Sequence, residues 1–114
     1  MSAYIRRKNG RCPADDFRNG CQPKMWKRFR GSFDAVTKIG ARYCNHERFK
    51  PVKVKPIWEF KEHDHRLYCG RIVQGTSVEI ILLNGWVKDK KGRSAQEDNE
   101  IEKAKNLFDE YASE

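Results

Sequence analysis

Nowhere in these 114 residues is there an apolar run of the about 20 positions that a membrane-spanning helix needs. The opening MSAYIRRKNG also lacks the apolar core of a secretory signal. The expectation is therefore a cytoplasmic protein with no membrane contact. Closely spaced cysteines are missing as well: no two of Cys12, Cys21, Cys44 and Cys69 stand closer than eight intervening residues, so the paired spacing of a zinc site is absent. Reduced thiols, not a disulfide frame, are expected in that compartment. Cys44 with His46, and His63 with His65, would hold a metal only if the fold assembled them, and no metal or other cofactor is expected.

Acidic residues are scarce over most of the chain. Residues 1 to 96 hold 22 Lys and Arg against nine Asp and Glu, whereas residues 97 to 114 hold two against seven. The whole carries a formal charge of +8. A basic body with an acidic end predicts one cationic face for a polyanionic partner, because each phosphate neutralised releases counterions. An apolar content of 38% in a chain this short supports one core and one domain over 1–114.

Helical signals come first. Tyr4 and Ile5 lie in a basic opening, residues 1–11, that reads either as an edge strand or as a flexible arm. Pro13 suits a first helical turn and Asp15 and Asp16 complement the positive end of the helix dipole, which predicts a short helix over 13–19. From Pro23, Trp26, Phe29, Phe33, Val36 and Gly40 step by three or four, predicting a second helix that ends near Gly40. Residues 41–51 read as a loop with Phe49 tucked inward.

The period then changes to two. PVKVKPIWEFK, RLYCGRIVQ and residues 77–88 predict three strands of an antiparallel meander, with a bulge or edge at Pro56 and a hairpin turn at Gln74, Gly75 and Thr76. Ile101, Ala104, Leu107, Phe108 and Tyr111 then line one face of a helix over about 96–112, with Ser94 as its cap. The expected architecture is α+β: N-terminal helices, a twisted antiparallel sheet of three to four strands and a C-terminal helix. The helices are expected on one face of the sheet.

The opposite face would then meet water. Alternation places Glu59 with Lys61, and Arg66 with Tyr68, and brings the exit residues Lys88, Lys90 and Lys91 to the same region. Cleavage of RNA by its own 2′-OH needs cations on the pentavalent phosphate and proton carriers for the attacking and leaving oxygens. Lys and Arg suit the first task, while His63, His65, Tyr68 or Glu59 suit the second.

CPADDF at 12–17, the helix ending at Gly40, IWEFK at 57–61, Arg66, and the apolar strand running through Gly85 and Trp86 to Lys88 and a closing EIEKAK helix together form a pattern. It resembles the RelE and HigB-like toxins of type II toxin–antitoxin systems, in particular the phage-derived HigB-like branch, over residues 12–112. That resemblance implies a metal-independent, ribosome-dependent mRNA endonuclease held in check by a cognate antitoxin protein, with mRNA on the ribosome as substrate. It places Lys61, Arg66 and Lys88 at the scissile phosphate, with His63, His65 and Tyr68 as candidate proton carriers. Lys53, Lys55, Lys90, Lys91 and Arg93 are the expected RNA contacts. The chain departs from the family in WVKDKKGRSA, where Asp89 intrudes and no Thr or Pro follows, and in Lys61, where many relatives carry Arg. The alternative is a noncatalytic nucleic-acid or protein interaction module of a phage or mobile element.

Overall fold

The computed structural model describes residues 1–40, 43, 47–88 and 95–114. The elements run β1 (Ser2–Ala3), α1 (Pro13–Gly20), α2 (Pro23–Ile39), β2 (Phe49–Pro51), β3 (Ile57–Glu62), β4 (His65–Gln74), β5 (Ser77–Val87) and α3 (Ala95–Ala112). The α+β class and the order of helices and strands are as expected, and no helix among the described residues is long and apolar enough to cross a membrane.

Local chemistry explains the helix ends. Pro13 and Pro23 occupy the first turns of α1 and α2, where a missing N–H leaves no bond unmade. Gly40 closes α2 at φ 79°, a conformation that any side chain would strain, while its N–H donates to the Val36 carbonyl. The β4–β5 hairpin turns the same way: Gly75 has φ 62° between the paired Gln74 and Ser77.

The sheet is larger than expected. Five strands lie in the order β1-β5-β4-β3-β2, all antiparallel except β1, which runs parallel to β5 through Ser2 opposite Ile81 and Ala3 opposite Leu82. The basic opening is thus an edge strand. Residues 49–51, read as loop, pair with β3, Phe49 lying opposite Phe60. Val52 and Val54 consequently leave the strand: residues 52–56 form the connection, with a cis Lys55–Pro56 peptide.

Helices cover both faces of the sheet, not one. Phe29 and Val36 of α2 and Ala14 of α1 pack with Phe49, Phe60, Leu67, Cys69, Ile80 and Leu82. On the other face Ile101, Ala104 and Leu107 of α3 pack with Ile57, Tyr68, Ile81, Leu83 and Trp86. Alternation along β3 and β4 feeds both cores, because a strand between two layers has no water-facing side. Each helical layer is seated on a glycine: the Phe17 ring lies where a side chain at Gly85 would be, and the Phe108 ring where one at Gly70 would be.

One irregularity sets what β5 presents. Leu67 lies opposite Gly85 but Cys69 lies opposite Leu82, so Leu83 and Asn84 together face the single residue Tyr68. Past this bulge the alternation of β5 is inverted. Leu83 and Trp86, three residues apart, both enter the α3-side core.

Candidate nucleic-acid interface

Across the α3-side face, cross-strand neighbours form rows. Lys50 of β2 lies opposite Glu59 of β3, which lies opposite Tyr68 of β4. In the next row Lys61 lies opposite Arg66, which lies opposite Trp86 of β5. Lys88 follows two residues beyond Trp86, and its backbone N–H donates to the Asp64 carbonyl at 2.7 Å. Lys61, Arg66 and Lys88, from three separate stretches of sequence, therefore share one end of one face. Two cations directly opposite on neighbouring strands repel one another, and an anion bound between them would relieve this.

The turn between β3 and β4 fixes Arg66. His63 occupies φ 54°, a left-handed conformation uncommon outside glycine, asparagine, aspartate and histidine. The Arg66 guanidinium donates to the His63 carbonyl at 2.6 Å and to the His65 carbonyl at 3.1 Å, tying the turn from beneath. Arg66 is consequently only 8% exposed.

Next to this row lies a cleft of about 350 Å³ between the β2–β3 connection and the start of α3, lined by Lys50, Lys53, Glu59, Lys88, Glu97 and Ile101 among others. Its cations face carboxylates. Lys50 Nζ is 3.7 Å from Glu59 Oε2, Lys53 Nζ is 3.5 Å from Asp98 Oδ1, and Lys88 Nζ is 3.1 Å from Glu97 Oε2. Glu59 was expected on a wet surface but is buried. Burial raises its pKa above the ordinary carboxylate range, and the positive charge of Lys50 and Arg66 only partly offsets this.

A carboxyl whose folded pKa lies above its unfolded value favours folding at low pH, and that contribution is lost as pH rises through the folded value. Glu59→Gln, which cannot ionise, is therefore expected to be more stable than the parent at about pH 7 and to lose that advantage toward about pH 4. Thermal melts across the range check this. A variant less stable than the parent at neutral pH would show that the attraction of Lys50 and Arg66 outweighs burial.

Three of the expected proton carriers lie elsewhere than expected. Tyr68 is fully buried beneath α3, accepts a 2.9 Å hydrogen bond from Trp86 Nε1, and has its pKa raised by burial. It is a core residue, because α3 covers the face that was expected to be open. His65 alternates with Arg66 and so points to the opposite face, where its ring meets Phe17 edge-on and its Nδ1 lies 2.8 Å from Asp64 Oδ1. His63 is exposed on the turn, with its Nε2 against an Arg28 guanidinium nitrogen of α2. Both histidines thus lie toward the α1–α2 side.

Of the expected RNA contacts, Lys53 and Lys55 lie in the β2–β3 connection and not on a strand, Lys53 reaching the α3 start. Lys90, Lys91 and Arg93, with the Ser94 cap, Asp89, Cys44 and His46, fall outside the described residues. Sequence reasoning missed Lys50 and the pairing of Lys88 with Glu97. The signal for the second was present: an acidic helix start, Glu97 and Asp98, follows directly on the basic run. A second cleft of about 610 Å³ lies between α1, α3 and β5, where Arg6 faces Glu110 and Lys103 faces Glu100. No protein-family model matches the chain, and no curated protein is similar to it at a meaningful level.

Proposed function

We propose that this chain is the toxin of a type II toxin–antitoxin pair of the RelE and HigB-like kind. Its activity would be ribosome-dependent cleavage of mRNA in the cytoplasm, restrained by a cognate antitoxin. The observation that carries the reading is the convergence of Lys61, Arg66 and Lys88 from β3, β4 and the end of β5 at one end of one sheet face. Cations at that position stabilise charge developing on a phosphate during attack by the 2′-OH. Glu59, which lines the adjoining cleft and whose burial raises its pKa above the ordinary carboxylate range, supplies a carboxyl able to exchange a proton beside those cations.

A second reading, a noncatalytic nucleic-acid or protein interaction module of a phage or mobile element, is favoured by one observation. Lys50, Lys53 and Lys88 already face carboxylates of the chain itself. Both readings predict salt-dependent RNA binding, but only a nuclease leaves new RNA ends. Inducing the chain without its genomic neighbour is expected to arrest growth and translation, with primer extension mapping new 5′-hydroxyl transcript ends and the upstream fragments ending in 2′,3′-cyclic phosphate. Unchanged growth with abundant folded protein would refute the toxin reading.

A further inference from the structure

Gly31 is not explained by packing. It stands near the middle of the 17-residue helix α2, where glycine weakens a helix relative to alanine. The position is exposed, and a Cβ built there would meet nothing within 4 Å. Gly70 and Gly85 differ in this respect, since aromatic rings fill their places. The room left at Gly31 is used by no part of the described chain.

Its surroundings indicate what would use it. At about 100° per residue, Lys24 and Lys38 lie within about 20° of Gly31 around the helix and Lys27 and Arg28 within about 60°. Arg30 lies further round, and all five are exposed. Lys24, Lys27, Arg30 and Lys38 have no ion-pair partner among the described residues, and Asp34 is the one carboxylate on α2. The sheet-end cluster is the reverse, with Lys50, Lys53 and Lys88 each facing an acid. A shallow cleft of about 540 Å³ opens at Lys27, Arg30, Gly31, Phe33 and Asp34.

We infer that the outer face of α2, centred on Gly31, is a second nucleic-acid surface that takes the phosphate backbone of RNA. The missing side chain would let the strand approach the helix while cations close on it from both sides. Unpaired cations suit this task, because their counterions are released on binding and no internal ion pair must break. An anionic membrane fits less well: insertion needs an apolar helix face, and that of α2 is committed to the core through Phe29 and Val36.

The test is fluorescence anisotropy of a labelled RNA hairpin at several salt concentrations, using the full chain carrying Lys88→Ala so that the RNA survives. Adding Lys27→Ala and Arg30→Ala is expected to weaken binding at least tenfold and to flatten the log-affinity against log-salt slope by roughly two, at about 0.9 per phosphate contact. Lys103→Ala with Lys105→Ala, an equal loss of charge on α3, is expected to leave binding unchanged. Gly31→Ala is expected to raise Tm yet weaken binding several-fold. Unchanged affinity and slope in the α2 double variant overturn the inference. So does an equal loss in the α3 control, unweakened binding by Gly31→Ala, or capture of phosphatidylserine vesicles without RNA binding. Cleavage is read separately from product ends, so failure of the nuclease reading leaves this result standing.

Discussion

Lys88→Ala is expected to slow RNA cleavage by about 10²- to 10³-fold, the loss that follows removal of one donor to charge developing in a transition state. The residue is well placed for such an effect. Its backbone is pinned by the bond to Asp64, and its largely enclosed side chain meets Glu97 in the lining of the cleft. Losing one partner of so enclosed a pair leaves Glu97 short of its counter-charge and costs about 1 to 3 kcal/mol, less than the roughly 5 to 15 kcal/mol by which a typical domain is stable. The variant should therefore stay folded. Arg66→Ala differs, because the guanidinium also ties the His63 and His65 carbonyls, and its loss should reduce stability and activity together. Glu97→Gln separates the two roles of Lys88: it keeps the side-chain volume, frees the ammonium from a competing charge, and should preserve or raise cleavage. A folded Lys88→Ala chain that cuts RNA at the parental rate would remove Lys88 from the site.

Gly70→Ala is expected to have the largest effect on stability, lowering Tm by roughly 5 to 20 °C. The added Cβ would lie 2.2 Å from Phe108 Cδ1 and 2.4 Å from Cε1, closer than carbon atoms approach. Overpacking of this kind costs about 1 to 3 kcal/mol, and each kcal/mol shifts Tm by about 4 to 8 °C in a domain near this size. Phe108 belongs to α3, so relief requires the ring or the helix to move off the sheet. Phe108→Ala in the same chain should recover part of the loss, giving a coupling in a double-mutant cycle that independent sites would not show. Strictly additive losses would mean that α3 does not seat its ring on Gly70.

The helices were legible almost to the residue because their signals are local. Pro13 with Asp15 and Asp16, Pro23, and the terminal Gly40 act within one turn of the chain. The Ile101, Ala104 and Leu107 stripe of α3 is likewise a pattern in consecutive residues. Strand identity was less legible. Phe49–Pro51 has too few residues to show a period and is a strand only because β3 pairs with it. Glu59, Arg66 and Tyr68 read as the polar face of a half-buried sheet, but the second helical layer leaves them enclosed. Glu59 and Arg66 stay polar there because each finds partners, Lys50 for one and two turn carbonyls for the other.

By itself the sequence determined the charge balance, the helix limits, the strand-rich centre and the identity of the cations near the sheet's end, since these depend on composition and on neighbours a few residues away. Tertiary structure alone decided which of those cations meet. Simple alternation from Ile81 and Leu83 along β5 would have sent Trp86 and Lys88 to the α1–α2 side. The bulge at Leu83 and Asn84 opposite Tyr68 turns them to the α3 side, beside Arg66. A one-residue slip in pairing reverses the side to which every later side chain points. That slip is a property of two strands in register, and neither strand carries it alone.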